Sequence, residues 1–448
     1  MKNHTCTRLA ALLLAAAAAF SSGSCVQQEE PLTAQSLDGA VAEDWMALML
    51  KFTQRTPGFS PPVAARMFGY IGVGLYQSVQ PGMPGYRSLE GRIQGLAPGG
   101  MPDAEPGAAY HWGLSANACL AMLVRDCYRN APAELLASAD ALEQEYADRF
   151  GMETSPEVYE RSIAFGQAVA SAVIEYANSD GQARCYERNF PEGYTPPAGS
   201  GKWIPTPPNF QRALQPYWGS VRPFLHANVT STQPAPPPAY SEQPNSVFYA
   251  QALEVYAVVK SATPAQRATA QYWSDDPGVT ATPPGHSVSI LRQVLTAENA
   301  DLGRAAEAFA RLGMGLHDAF ISCWKTKYET NLIRPVSYIQ SRIDPSFMPV
   351  LPTPPFPEYT SGHSVQSGAA AQILTDLFGN DYQFADRTHA ERTDIDGTPR
   401  VYGSFYEFAD EAAISRLYGG IHYRAAIEEG VAQGKAIGRN ISAIRLRD

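Results

Sequence analysis

Apolar residues recur at three- and four-residue spacing along most of this chain, and no run alternates one-on, one-off as a half-buried strand would. "AEDWMALMLKFTQRT", "PPVAARMFGYIGVGLYQSV", "AELLASADALEQEYADRF" and "PEVYERSIAFGQAVASAVIEYANS" each carry an apolar stripe of helical period. The pattern dissolves between Asn189 and Ser241, where the prolines of "PEGYTPPAGSGKWIPTPPNF" and "STQPAPPPAY" remove backbone donors and fix φ. It resumes at "NSVFYAQALEVYAVVKSA" and continues through "NADLGRAAEAFARLGMGLHDAFISCWKTKYET" to "AAIEEGVAQGKAIGRNISAI". The length of 448 residues exceeds one usual compact core. The predicted fold is therefore all-α, two packed helical bundles over residues 41–188 and 242–448. A proline-rich connector, 189–241, joins them as an ordered loop wrapping the surface.

Ahead of the helices lies an export signal. Lys2 and Arg8 flank its start, Leu9 to Phe20 is apolar but too short to span a bilayer, and small residues lead to Cys25. "SSGSC" resembles a bacterial lipobox, with Ser22 where leucine is usual. The expectation is a signal peptide over 1–24, a lipidated Cys25 as first residue of the mature chain, and a tether over 25–40. That places the protein in a bacterial cell envelope, in the periplasm or on the surface, touching the membrane only through lipid; ordinary secretion is the other reading. The net charge of -10 argues against general nucleic-acid binding, so any anion site must be local. Cys119, Cys127, Cys185 and Cys323 form no CxxC pair, and a disulfide through Cys185 is left open.

Three segments of the second half concentrate ionisable groups. In "CWKTKYETNLIRPV", Lys327 and Arg334 stand two helical turns apart, so they are expected on one face, with Pro335 breaking the helix beside Arg334. Either they form a solvated basic face or, given Trp324, Tyr328, Leu332 and Ile333 around them, they grip an anion. In "PPFPEYTSGHSVQSGAAAQIL", Ser361 and Gly362 fall where a helix begins, an arrangement that caps a helix and also offers free N–H groups to an anion. His363 beside them has the titration range of an acid or base. In "SRLYGGIHYRAAIEEG", Arg416 and His422 flank Gly419 and Gly420, a pair that predicts a helix break or a close backbone approach.

Taken in order, Lys327-x6-Arg334-Pro335, Ser361-Gly362-His363 and Ser415-Arg416-x5-His422 form a three-part signature. It resembles that of the type 2 phosphatidic acid phosphatase superfamily, specifically its vanadium-dependent haloperoxidase-like branch. The resemblance is clear from about Asp318 to Gly430, reaches less securely back to Trp273, and gives no signal in the first half. It implies one pocket for a tetrahedral oxyanion, vanadate as cofactor or phosphate in the same place. Lys327, Arg334 and Arg416 would clamp the oxygens, and Ser361 and the Gly362 N–H would donate further hydrogen bonds. His422 would be the vanadium ligand or phosphoryl nucleophile. His363 would be the acid/base opposite, with Asp276 either its hydrogen-bonding partner or a loop carboxylate in solvent.

Phe356, five residues before Ser361, and Trp324, three before Lys327, resemble an aromatic halide or substrate wall of the peroxidase branch; core packing is the plain alternative. The implied activity is a haloperoxidase-like oxidation of halide or a small organic substrate by hydrogen peroxide. An exported acid phosphatase acting on a phosphate ester and a non-catalytic envelope lipoprotein are the alternatives. One departure stands out: the family often continues H-x3-D, and here that position is Ala426. His422 must then find its second partner in a backbone carbonyl, Glu428 or Glu429. The remaining histidines, His286 and His389 among them, form no ligand-spaced cluster, so no other metal is expected.

Overall fold

The fold grows around the run from Leu302 to Thr330, a single 29-residue helix whose N-terminus is capped by the Asp301 carboxylate accepting from Arg304 N (2.8 Å). The computed structural model describes residues 32–447; the signal segment, Cys25 and the start of the tether lie outside them. The first half supplies α1 (Ala40–Arg55), α2 (Pro61–Val79), α3 (Trp112–Cys127), α4 (Ala133–Gly151) and α5 (Pro156–Asn178). The connector holds only the single turn α6 (Ala227–Thr230) and a 3-10 turn at Trp218–Ser220. Then follow α7 (Val247–Lys260), α8 (Pro264–Tyr272), α9 (Thr282–Glu298), the long α10 (Leu302–Thr330), α11 (Pro335–Arg342), α12 (Gly362–Phe378), α13 (Phe405–Tyr418) and α14 (Arg424–Ser442). The described strands are one antiparallel hairpin, β1 (Phe384–Asp386) with β2 (Arg400–Tyr402), Ala385 opposite Val401. The all-α expectation holds.

The two halves share one core. Small residues let α2 and α10 touch backbone to backbone: a Cβ on Gly72 would stand 2.7 Å from the Phe309 carbonyl oxygen, and one on Gly313 2.4 Å from that of Phe68. Residues from Val41 on α1 to Leu446 beyond α14 therefore belong to one apolar cluster, and the described residues form one compact unit. Among the described residues no helix is long and apolar enough to cross a membrane.

A second glycine seam bears directly on function. Gly430, Gly434 and Gly438 recur every fourth residue, one face of α14, and press on α12. A Cβ at Gly434 would lie 2.0 Å from the Val365 carbonyl oxygen, so nothing larger than glycine fits. This contact brings the Ser361 N–H onto the Ala426 carbonyl (3.0 Å), joining the second and third sequence motifs.

The connector does more than wrap the surface. It buries Trp203 and Trp218, and its Leu214 carbonyl accepts from Trp324 Nε1 (3.3 Å) and the Tyr328 hydroxyl (2.7 Å) on α10. Leu214 N also donates to the Pro355 carbonyl (2.9 Å), so the connector holds the loop that leads into Ser361. The four described cysteines are free thiols, Cys185 included.

Candidate oxyanion site

Lys327 and Arg334 do converge, but not along one helix face. Helix α10 stops at Thr330 because Asn331 takes a left-handed conformation (φ 47°), and Pro335 starts α11 instead of ending α10. Arg334 is thus the extended residue before α11. The two cations meet across a ring: Lys327 Nζ lies 5.0 Å and the Arg334 guanidinium carbon 4.9 Å from the centre of Phe356. Phe356 packs in turn on Trp324, ring centres 4.9 Å apart.

Both cations are fully buried and bonded to neutral groups. Lys327 Nζ donates to the carbonyls of Pro357 (3.0 Å), Glu358 (2.9 Å) and Thr360. Arg334 donates through Nε to the Phe356 carbonyl (2.8 Å) and through Nη1 to the Ile421 carbonyl (2.9 Å) and His422 Nε2 (3.2 Å). Its Nη2 has no partner. Arg416, in the last turn of α13, donates to Ser415 Oγ (2.9 Å) and the Ala270 carbonyl (3.1 Å). Burial pulls Lys327 down to about 7 and Arg334 and Arg416 down to about 10. Three cations so placed favour a bound anion.

The donors around them have defined origins. Ser361 caps α12, its Oγ accepting from Ser364 N (3.4 Å), which leaves the hydroxyl proton free to donate outward. Gly362 is the first residue of that helix, where N–H groups lack intrahelical acceptors. Helix α13 ends at Gly419 and Gly420; Gly420 has φ 76° and its missing Cβ would fall 2.8 Å from Val259 Cγ2, so the turn to His422 requires glycine twice over.

The partner of His422 is neither Glu428 nor Glu429. Glu428 pairs with Arg424 (3.7 Å), and Glu429 accepts from Ala235 N (3.2 Å). His422 Nδ1 instead meets Glu358 Oε1 at 2.9 Å, 64 residues upstream, and the same oxygen accepts from Tyr423 N (2.8 Å). An acceptor at Nδ1 fixes the proton there and leaves a lone pair on Nε2. Burial and the cations Arg334, Lys327 and Arg416 push the His422 pKa well down, so the ring is neutral. Burial also raises Glu358 to about 7. Glu358 stands in the quoted "PPFPEYTSGH", but nothing local ties it to His422; only the fold does.

His363, second residue of α12, is likewise pushed well down by burial and by Arg416, and its Nε2 is buried without a partner. Among the described residues no hydrogen bond joins it to Asp276. The Trp273 backbone and the charge of Asp275 act on His363 instead, while Asp276, raised by burial, faces Arg416. Asp318, a further carboxylate within the motif region, accepts from Phe224 N (2.7 Å), Leu225 N (2.9 Å) and Asn228 Nδ2 (2.8 Å), which makes it a clasp between connector and α10. Nor are the leftover histidines scattered: His286 and His389 meet at Asp275, itself part of the cavity lining described next.

These groups floor a cavity of about 420 Å³. Its lining takes in Gly362, His363, Arg416 and His422, the carboxylates Asp275 and Asp276, the packed aromatic pair Trp324 and Phe356, and Phe190, Pro207 and Pro208 of the connector. Lys327, Arg334 and Ser361 stand just behind that lining, reached through Phe356 and His422. The geometry offers positive charge, a neutral imidazole nitrogen and a second imidazole with an unpartnered Nε2 at one place. Such a set binds a multiply charged oxyanion and moves protons beside it.

Comparison with known proteins agrees. A family model described as the VCPO second helical-bundle domain matches residues 307–446. The vanadium chloroperoxidase of Curvularia inaequalis is 24% identical over 347 residues, 59% of this chain; the match spans 56% of that protein's length. The crystal structure of a bacterial vanadium-dependent chloroperoxidase shares the fold at 14% identity (TM-score 0.66, 87% of this chain and 93% of that one). The crystal structure described as the first bacterial vanadium-dependent iodoperoxidase is 34% identical, with a TM-score of 0.83 over 94% of this chain and 100% of that chain. With so much of that structure shared, and with the motifs gathered on one pocket, the chain belongs to the vanadium-dependent haloperoxidases, an enzyme family of the type 2 phosphatidic acid phosphatase superfamily.

Proposed function

We propose that this protein holds vanadate in the pocket and oxidises a halide, iodide foremost, or a small organic acceptor with hydrogen peroxide. The observation that carries the reading is the set of three buried cations, Lys327, Arg334 and Arg416, whose side chains bond carbonyls, a hydroxyl and an imidazole but no carboxylate. A buried cation without a counter-ion is costly, and a tetrahedral oxyanion removes that cost. The residues fit vanadate: guanidinium, ammonium, hydroxyl and helix-terminal N–H donors for its oxygens, His422 Nε2 for the metal, and Arg334 Nη2 and His363 Nε2 as buried polar atoms in want of a partner. Phosphate has the same shape and competes for the same donors.

Bound vanadate supplies Lewis-acid activation of peroxide toward a nucleophile, with vanadium keeping its oxidation state. The protein does the rest. Glu358 holds the His422 proton on Nδ1 and so presents Nε2 as a ligand. The cations neutralise charge that is present before and during oxygen transfer. His363 Nε2, neutral and adjacent, takes a proton from incoming peroxide and returns it to the departing oxygen. Trp324 and Phe356 keep water off the cations and offer a polarisable halide an apolar wall. The similarity to an iodoperoxidase is why iodide is placed first. The proposal also sets the protein in the cell envelope, anchored through a lipidated Cys25, on the sequence of residues 1–25; mass spectrometry of the N-terminal peptide from membranes tests that part.

One purified sample decides the chemistry. Peroxide-dependent iodide and bromide oxidation, with and without added vanadate, is measured beside hydrolysis of p-nitrophenyl phosphate. Oxidation is expected to rise with vanadate to saturation and to vanish in His422→Ala. Absence of oxidation with strong, vanadate-inhibited hydrolysis overturns the reading in favour of a phosphatase. Silence in both assays, unchanged by His422→Ala, overturns it in favour of a binding protein.

A further inference from the structure

At the pocket wall, Asp275 on the loop after α8, which reaches the cavity lining, His286 on the first turns of α9 and His389 on the irregular stretch after β1 meet in a buried cluster. We propose that these three residues hold a zinc ion that no part of the proposed peroxidase chemistry requires. His286 Nδ1 lies 2.9 Å from Asp275 Oδ2, and His389 Nε2 lies 3.2 Å from Asp275 Oδ1. Their ligand atoms all fall within 4.8 Å of one another. Tetrahedral zinc, with bonds of about 2.0–2.1 Å, sets neighbouring ligand atoms roughly 3.3 Å apart.

Hydrogen bonding alone does not satisfy this cluster. His286 Nε2 is 2.7 Å from Asp386 Oδ2, which also accepts from the Tyr272 hydroxyl (2.7 Å), while Asp386 Oδ1 accepts from Thr388 N (2.9 Å). With that ring proton given to Asp386, His286 Nδ1 and Asp275 Oδ2 face each other as two lone pairs, and something positive must stand between them. A second ring proton serves that pair. It leaves the other one poorly served: Asp275 Oδ1 and His389 Nε2 are both buried and lie 3.2 Å apart, near enough to attract each other but too poorly aligned for a good hydrogen bond. Two atoms at that separation, poorly aligned for each other, are free to share a third partner. One divalent cation serves both pairs at once.

The surroundings match a metal centre. Asp386 behind His286 forms the carboxylate–histidine–metal relay that fixes ring orientation and ligand basicity. Two imidazoles and one carboxylate suit zinc, and are too poor in oxygen for calcium or magnesium. The ion would tie residues 387–399, which lack regular structure, to α9 and to the loop carrying Trp273 and Asp276. The Trp273 ring stacks on His286 with centres 4.4 Å apart, and its backbone bonds His363, so a zinc here would steady the pocket's proton carrier from behind.

The test needs neither vanadate nor peroxide, so its failure leaves the peroxidase reading untouched and the converse also holds. The full chain is purified from zinc-supplemented medium, dialysed and analysed by plasma mass spectrometry. About one zinc per chain is expected in the wild type and in Asp276→Asn, and a loss of most of it in His389→Gln, which leaves α9 intact. Stripped wild-type protein titrated with cobalt should develop the visible bands of a tetrahedral site, absent from His389→Gln. Removal of the metal with a chelator should lower the wild-type Tm and leave the variant unchanged. Wild-type protein that carries no zinc above the buffer and shows no cobalt band overturns the proposal. So does zinc that survives in His389→Gln and His286→Ala alike. If neither variant folds, the wild-type cobalt spectrum alone decides.

Discussion

Two arginines, one in each half of the molecule, are equally buried and electrostatically opposite. Arg66 on α2 meets Asp180 with two bonds, Nε to Oδ2 at 2.7 Å and Nη2 to Oδ1 at 3.0 Å, and gives a third to the Ala177 carbonyl at 2.8 Å. Arg334 meets two carbonyls and one imidazole and leaves Nη2 bare. Burial lowers both, but Asp180 more than offsets it at Arg66, whose pKa ends above the ordinary arginine value, while Arg334 falls to about 10. Even the aromatic setting is shared, Arg66 over Tyr70 at 4.8 Å and Arg334 over Phe356 at 4.9 Å. The difference is a bonded carboxylate: Arg334 feels the charge of Glu358 but makes no bond to it. One arginine is finished by the fold; the other, under the proposed function, is finished by the bound oxyanion.

The sharpest way to break that comparison is to remove each cation without vanadate present. Arg66→Met strands Asp180 in the core and should cost about 3–5 kcal/mol of unfolding free energy in urea titrations. Arg334→Met removes a buried charge that no carboxylate is bonded to, so it should cost clearly less than Arg66→Met while abolishing vanadate binding. Equal losses at both positions would mean that Arg334 is a structural group and that the pocket does not await an anion.

The sequence revealed one side of this contrast and hid the other. The helical class was legible because apolar spacing reports helix faces directly, and the three motifs were legible because their spacings are short and rigid. Partners supplied by distant segments were not. Asp180 for Arg66, Glu358 for His422 and the meeting of Asp275, His286 and His389 all depend on tertiary packing that no local pattern encodes. The one-face argument for Lys327 and Arg334 failed at Asn331, a residue tolerant of left-handed backbone that a helix-stop reading could have flagged. The glycines at every fourth residue of α14 also stood in plain view as a close-packing seam.

Glu358 sharpens the comparison next, because it is a buried carboxylate bonded to His422, the residue that the proposed function makes the vanadium ligand. Glu358→Ala should weaken vanadate binding about 10–100-fold, and Glu358→Gln less, since an amide oxygen still accepts from Nδ1. Vanadium NMR titration gives the affinity and thermal unfolding gives the stability. A lower Tm with unchanged affinity would reduce Glu358 to packing.

Lys327 converts the missing counter-ion into a pH dependence. Its pKa of about 7 in the free protein lies below its ordinary 10.5, so between those values the folded chain binds fewer protons than the unfolded one and gains stability as pH rises. An anion in the pocket needs the charged form, so binding above pH 7 must draw in a proton. Affinity should then weaken by about tenfold per pH unit above 7, beyond the titration of vanadate itself. Calorimetry in buffers of different ionisation enthalpy reads the proton directly, and Lys327→Met should erase the extra slope. A slope that persists in the variant assigns the proton elsewhere.

Phe356 is the smallest effect and the finest cut. Its ring face covers Lys327 and Arg334 together, an interaction of about 1 kcal/mol for a partly desolvated pair. Phe356→Leu should therefore raise the halide KM and weaken vanadate only a few-fold. By letting water reach Lys327 it should also move the onset of the pH slope upward from 7, since desolvation is the chief cause of the depressed value. Tyr70→Leu beside the paired Arg66 removes the same kind of ring and should leave vanadate affinity and its pH slope alone. If the two leucine variants shift the slope equally, the aromatic wall acts through general packing and not by shielding cations whose counter-ion is the ligand.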